Sequence, residues 1–456
     1  MNTRTPLQNF VRKIVEKPKL VPVAVVLCAL HTLFFAGGMF SGKGDDLFLY
    51  NDTIQYVQLA SHAVTDGTFS LNGEVPSVRR EPGYSTYLMA FMKLGLIKPH
   101  VISASNLWPA LLLQILLYGF ASFLVAKGAT RMFTPFIGLL TLLFLNLYWP
   151  IFYYQYTAVS EGLAYAFLAI TWSLMAGWKM SPSFRAVAGT ALVLGLACVV
   201  KSALIPFILV LSGFIWLRKK LTFPKAVVFG LVAMLFPLLW TVRNYQVTGL
   251  PILGSIDGVS SLYRGNVLPF TQIPSPEDPQ MPAEAVAELS EMTQDGEKYK
   301  WYKENALEIM KAEPLRYSLQ VMNRAVLMVT DFDLSEKPPL YRYVMLIKND
   351  WFLTMLIFAL AIPALLRFRN FWIESALLLC LYSIGIYSVI YGLPRYLVPA
   401  LFVMAPGIAF AFGHLIFLPL LKKTGLLETE IPETDSEPGL AGTSLAATGS
   451  SAQTHV

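Results

Sequence analysis

The stretch "LVPVAVVLCALHTLFFAGGMF", Leu20 to Phe40, holds no charged residue. A helix crossing a hydrocarbon core about 30 Å thick needs roughly 20 such residues. Within a bilayer every backbone N–H and C=O must be paired inside the protein, so a spanning chain is helical or a closed barrel. Barrel strands alternate apolar and polar residues; this stretch does not. Composition agrees, because 55% of the 456 residues are hydrophobic and only 14% are charged, against about 25% charged in a soluble domain. Mean hydropathy is +0.54. The expected fold class is therefore an all-α polytopic membrane protein.

The first run follows a basic tail, Arg4, Arg12, Lys13, Lys17 and Lys19. It is longer than a signal-peptide h-region and ends at Gly37, Gly38 and Met39 without an A-x-A site, so it reads as an uncleaved span. Similar runs give about ten spans in all. They are Leu20 to Phe40, Ser103 to Ala126, Thr134 to Phe152, Val159 to Trp178, Ala186 to Val200, Ala203 to Leu217, Ala226 to Val242, Trp351 to Leu366, Trp372 to Tyr391 and Tyr396 to Leu418. The short fifth and sixth are separated by "KSALIP".

Lysine and arginine placement sets the orientation. With the N-terminus in the cytoplasm, the cytoplasmic turns carry Lys127 and Arg131, Lys179 and Arg185, Arg218, Lys219, Lys220 and Lys225, and Arg367 and Arg369, and Lys422 and Lys423 follow the last span. This is the positive-inside pattern. Residues 1–19 are then a cytoplasmic tail, 20–423 the membrane domain, and 424–456 a polar tail whose composition reads as disordered and cytoplasmic. The two sizeable loops, 41–102 and 243–350, fall on the extracytoplasmic side, which is where the chemistry is expected, in an inner (plasma) membrane. Helices are expected over Thr53 to Val64, over "GYSTYLMAFMKLG", over "AEAVAELSEMTQ", and over the segment from Tyr299 to Val329 with a break at Pro314.

The net charge of +6 belongs to helix ends and calls for no nucleic acid. Cys28, Cys198 and Cys380 lie in apolar runs and imply no disulfide framework. The five histidines show no metal-binding spacing. No cofactor is expected, and a divalent metal is left open.

Charged residues at the outer rim are the candidates for function. Asp52 opens a helix in "LFLYND", where it can cap the first turn or act as a general base toward an incoming hydroxyl. Arg79 and Arg80 lie outside, where topology disfavours cations; they are either solvated or anion-binding. Glu161, in "YTAVSEGLAYAFLAI", sits in the first turn of a span, either as a dipole-stabilising acid or as a functional carboxylate. Lys201 interrupts two apolar runs and is either a snorkelling lysine or the partner of Glu161, Asp52 or a substrate phosphate. Arg243 and Asn244 leave the end of a span. Tyr263 and Arg264 lie in a Gly-rich stretch that reads as a loop over a sugar. Arg395 and Tyr396 begin the last span. Lys201, Arg243 and Arg395 thus stand at one face on three helices, a cradle for a lipid phosphate.

In this order, Asp52 and Tyr56 (D-x-x-x-Y), Arg80, Pro82, Gly83 and Tyr84 (R-x-P-G-Y), Ser160, Glu161 and Leu163, Gly195 to Ser202, Trp240 to Tyr245 (W-x-x-R-N-Y), Gly258 to Asn266 and Pro394 to Pro399 resemble the C-type membrane glycosyltransferases. The closest resemblance is to the dolichyl-phosphate-mannose–protein mannosyltransferase-like and aminoarabinose transferase-like group. The resemblance spans Leu20 to about Leu418. It implies about ten spans with interfacial helices in the two outer loops. It implies an inverting transfer from a polyprenyl-phosphate sugar to a glycan, glycolipid or protein, with membrane lipids as further partners. Asp52 would be the base, Arg80 to Tyr84 would shape the cleft, and Lys201, Arg243 and Arg395 would hold the phosphate. The chain departs from the group in having Asn51 and Thr53 beside Asp52, where a second acid is common, so Asp45 or Asp46 could share the role. Ser202 follows Lys201 where proline is common. A lipid-sugar transporter, or an inactive assembly subunit of the same fold, is the alternative; the absence of an internal repeat speaks against the transporter.

Overall fold

The computed structural model describes residues 5–178, 181–267, 281–330, 370–392 and 394–427. Among them the protein is helical, with a single isolated bridge between Ser70 and Pro76. Four helices are long and apolar enough to cross a membrane: Leu20–Phe40, Ala104–Met132, Phe371–Ile390 and Val398–Lys423. A fifth span results if Phe223–Ala233 and Leu235–Thr248, bent by 43°, are taken as one. Shorter apolar helices run over Pro135–Leu147, Phe184–Val200 and Ser202–Leu217. The protein is an integral membrane protein. The expected span from Trp351 to Leu366, with Arg367 and Arg369, lies outside the described residues. So do Lys179, most of the Pro-rich stretch of the second loop, and the tail from residue 428.

The outer surface of the first span is itself evidence of a lipid environment. Val21, Val25, Val26, Leu30 and Leu33 are all exposed, while Leu27, His31 and Phe35, at spacing four, face the neighbouring helices. A contiguous exposed apolar face of this kind, on a helix long enough to cross a bilayer, fits a hydrocarbon solvent. The main core lies between the spans. Trp172 stacks on Phe207 at 6.4 Å and Tyr165 on Phe402 at 5.2 Å, and the Trp372 indole donates to the Val403 carbonyl at 2.9 Å.

The third expected span, Thr134 to Phe152, is broken at Tyr148, which leaves helical geometry between the helix Pro135–Leu147 and a single turn, Trp149–Phe152. A 3-10 turn, Tyr153–Gln155, and open backbone follow before the helix Ser160–Ala176. Open backbone at membrane depth is tolerated only when the protein buries and pairs it. The fully buried Gln114 amide does this, donating toward the carbonyls of Tyr154, Gln155 and Thr157 at 2.8–3.1 Å.

The expected loop helices form as Asn51–Thr65, Pro82–Lys93, Ala283–Glu291, Asp295–Ala312 and Pro314–Thr330. The first two pack through Val57, Ala60, Tyr84 and Leu88, all buried. The two outer loops are also tied to each other. The Asp295 carboxylate accepts from the Ser77 hydroxyl and the Val78 N–H, both at 2.7 Å, and the Ile256 N–H donates to the Val78 carbonyl at 3.0 Å.

Candidate active site

The outer loops and helix ends enclose a cavity of about 450 Å³. Its acids are Asp52, Glu81, Glu161 and Asp257, and its described cations are Arg79, Arg80, Lys201 and Arg264. They come from distant parts of the chain, so the cavity exists only when the loops and the bundle are assembled together.

Asp52 is the second residue of the helix Asn51–Thr65, two places inside the cap position, which Tyr50 occupies. The helix start is tied down by Thr53 instead. Its hydroxyl accepts from the Tyr50 N–H at 2.9 Å and donates to the Ala158 carbonyl at 3.0 Å. Asp52 is therefore left to meet Arg80, whose Nη2 lies 2.5 Å from its Oδ1. Arg80 also sends Nη1 to Asp257 Oδ2 at 2.5 Å and Nε to Gln55 Oε1 at 2.7 Å. Arg79 joins the group through Asp257 at 3.4 Å. Burial alone would lower the pKa of Arg80, but the carboxylates of Asp257 and Asp52 outweigh it and the net shift is upward; the guanidinium stays charged. Tyr56 lies under Arg80 at 5.5 Å, and burial raises its phenol pKa, so it acts as a neutral wall.

Across the cavity lining, Lys201 caps the helix Phe184–Val200 and its ammonium lies 2.6 Å from Glu161 Oε1. Both side chains are largely buried, at 13% and 5% exposure. Tyr396 faces the ammonium at 5.0 Å and stacks on Tyr387 at 4.4 Å. Glu81 Oε1 accepts from the Ser202 hydroxyl at 2.5 Å. Two glycines permit this packing. A Cβ on Gly83 would stand 2.6 Å from Val200 Cγ2 and 2.7 Å from the Val199 carbonyl oxygen. Gly254 has φ +87°, and a Cβ there would stand 2.4 Å from Ser202 Cβ. Only glycine lets both loops close on residues 200–202.

The stretch expected as a sugar-covering loop is a helix, Asp257–Val267. Asp257, Ser260, Ser261 and Arg264 line the cavity, as the helical spacing of one face dictates. Tyr263 points away and packs on Trp301 at 4.8 Å and Tyr302 at 5.8 Å. Arg264 replaces it in the cavity. Its Nε is buried without a hydrogen-bond partner among the described residues, and none of their carboxylates forms a salt bridge with it.

Arg243 and Asn244 do not line the cavity. Arg243 donates to the Ser77 carbonyl at 2.7 Å and the Phe69 carbonyl at 3.2 Å, with its guanidinium 4.7 Å from the Trp240 ring. Asn244 donates to the carbonyls of Ile252 at 2.9 Å and Gly254 at 3.1 Å. The W-x-x-R-N segment thus fixes the loops that carry Arg80 and Asp257 from behind. Tyr84 is likewise behind the wall, with its ring 5.0 Å from that of Tyr56. Asp45 accepts from the Ala104 N–H at 2.6 Å, at the start of a span, and neither it nor Asp46 lines the cavity. The Arg395 side chain lies outside the described part of the chain. Glu81 and Asp257 are charged cavity residues that sequence reading did not single out, although each stood inside a quoted motif or directly beside one.

No protein-family model and no curated protein matches the sequence. Among solved structures, the chain is similar to the crystal structure of ArnT from Cupriavidus metallidurans bound to undecaprenyl phosphate. The two share 16% identity and a TM-score of 0.37 over 89% of this chain and 80% of that one. At those values no residue role passes from one chain to the other.

Proposed function

We propose that this protein transfers a sugar from a polyprenyl-phosphate-sugar donor to a hydroxyl of a glycan, glycolipid or protein on the extracytoplasmic face, with inversion at the anomeric carbon. The observation that carries this reading is the union of Asp52, Arg80, Lys201 and Arg264 in the lining of one cavity. The motif order supports the donor class.

The leaving group of such a donor is a phosphate that gains a second negative charge as the glycosidic bond breaks. Catalysis then requires a base for the acceptor hydroxyl and fixed positive charge where the phosphate develops its own. In this reading Asp52 takes the hydroxyl proton. Arg80 holds Asp52 in place and stays cationic. Arg264 binds the phosphate, since the described acids leave it unpaired. Lys201, already neutralised by Glu161, contributes less charge than a bare ammonium would, and it orients the donor beside Tyr396. Direct attack by the activated hydroxyl on the face opposite the phosphate inverts the sugar.

The test is release of polyprenyl phosphate from a glycosylated lipid donor by purified protein given an acceptor. Asp52→Asn keeps an oxygen for Arg80 but cannot take the proton, so turnover should fall by at least about a hundredfold. Near-wild-type turnover by a folded Asp52→Asn protein would remove Asp52 from the chemistry. If the wild-type protein moves intact lipid-linked sugar across a vesicle membrane without releasing polyprenyl phosphate, the transporter reading replaces this one.

A further inference from the structure

The helix Phe184–Val200 has 17 residues, so about 25 Å of helix separates the Lys201 end from a second pocket at the opposite end of the bundle. There the loops before Phe184 and after Leu217 enclose a cavity of about 380 Å³ lined by Ser181, Trp216, Lys219, Lys220, Thr222 and Lys225, with no acidic residue. Nearby Arg218 is paired with Glu374 at 2.6 Å. The three lysines have no salt-bridge partner among the described residues.

Two of these ammonium groups, on Lys225 and Lys220, have contacts of their own, and the third lysine is fixed through its backbone. Lys225 Nζ donates to the Pro182 carbonyl at 2.7 Å and to the Ser181 hydroxyl at 3.3 Å, and it lies 5.5 Å from the Phe184 ring. Lys220 Nζ lies 5.5 Å from the Phe371 ring. Lys219 has φ +53°. Its N–H donates to the Trp216 carbonyl at 2.8 Å, and the Lys220 N–H donates to the Ile215 carbonyl at 3.0 Å. These two bonds end a helix on a left-handed residue, a position that glycine fills without steric cost. The chain carries a lysine there instead. At and beside the pocket, Trp216, Leu217 and Phe223 are exposed.

Orientation by the positive-inside pattern needs basic residues in these loops. It does not need them gathered on one cavity, held over aromatic rings, or set in left-handed backbone. We propose that this cavity binds the phosphate of an anionic phospholipid, with the acyl chains lying along Trp216, Leu217 and Phe223. Basic pockets between spans suit such headgroups. A free phosphate ion offers the same anion chemistry without the chains. The proposal stands independently of the glycosyl-transfer reading.

The probe is dioleoyl-phosphatidylglycerol added to the purified full-length protein in detergent, with dioleoyl-phosphatidylcholine as the neutral comparison and retained lipid counted by native mass spectrometry. Phosphatidylglycerol should be retained preferentially, and each ammonium removed by Lys219→Gly, Lys220→Gln or Lys225→Gln should weaken it about fivefold. Lys219→Gly relieves the backbone, so it should reduce retention while leaving the thermal midpoint unchanged or higher. Lys422→Gln with Lys423→Gln, at a different helix end, should leave retention intact. The proposal is overturned by equal retention of the two lipids, by a variant combining the three lysine changes that binds like wild type, by a control pair that harms retention as much as that triple variant, or by a Lys219→Gly protein that loses stability along with lipid. Displacement of the lipid by millimolar inorganic phosphate would assign the pocket to the free anion and overturn the lipid assignment.

Discussion

Arg80 reaches Asp52 with one guanidinium nitrogen and Asp257 with another, each at 2.5 Å. One residue from the first outer loop thereby joins the start of one loop helix to the start of another. The fork geometry of arginine makes this possible, and lysine cannot copy it. Arg80→Lys should therefore leave the protein folded but lower turnover by on the order of a hundredfold, since an ångström of misplacement at Asp52 is enough. A steady-state assay with saturating donor checks this, and a turnover unchanged within a factor of two would contradict it.

Asp257 tests the other half of that link. Asp257→Asn removes one of the two charges that keep Arg80 in position. Turnover should fall about tenfold to a hundredfold while binding of the donor changes little, because the defect lies in aiming Asp52. The amount of donor bound per protein and the thermal midpoint distinguish this from a general loss of the fold, which would lower both, whereas a misaimed Asp52 leaves both near wild type.

Arg264 should behave differently. Its buried Nε has no partner among the described residues, so a donor phosphate would gain a charge-assisted hydrogen bond there. Arg264→Gln should raise the donor KM about tenfold or more, and the acceptor KM should stay put. An unchanged donor KM would assign the phosphate to other cations.

The Lys201–Glu161 pair predicts a non-additive stability pattern. Lys201→Met takes the ammonium away from a carboxylate that is 5% exposed, and Glu161→Leu takes the carboxylate away from an ammonium that is 13% exposed. Each single change should destabilise by about 3–5 kcal/mol, and the double change by markedly less than their sum. Thermal midpoints of the three proteins in one detergent give the comparison; additive losses would show that the two side chains act independently.

Gly83→Ala probes how closely the loop is pressed on the bundle. The new Cβ would meet both Val200 Cγ2 and the Val199 carbonyl oxygen inside van der Waals distance. Overpacking of this kind costs about 1–3 kcal/mol. It should also move Glu81 off Ser202, so turnover should drop together with the thermal midpoint. A variant matching wild type in both would mean that the loop sits farther from the helix than 2.6 Å implies.

Asp52, Glu161 and Lys201 could be found in the sequence because each is a charge beside an apolar run, where its presence needs a reason. The Gly-rich spacing around Tyr263 and Arg264 reads as a loop, which does not say which of the two meets a ligand. In a loop every side chain is available, whereas in the helix Asp257–Val267 one face meets the cavity and Tyr263 falls on another. Arg243 looked like Lys201 in one dimension, a cation at the end of a span. Folding turned it toward the Ser77 and Phe69 carbonyls instead of the cavity.

The apolar runs by themselves determined that the chain is a helical membrane protein, because hydrocarbon accepts no unpaired backbone and the runs are long enough to cross it. They also placed the charged residues at helix ends. Which of those charges share a cavity was decided by tertiary contacts, chiefly the close approach of Gly83 and Gly254 to residues 200–202 and the reach of Arg80 to Asp52 and Asp257. Pairings between residues separated by 28 to 177 positions depend on how loops fold back, for which a linear pattern of hydropathy and charge holds no register.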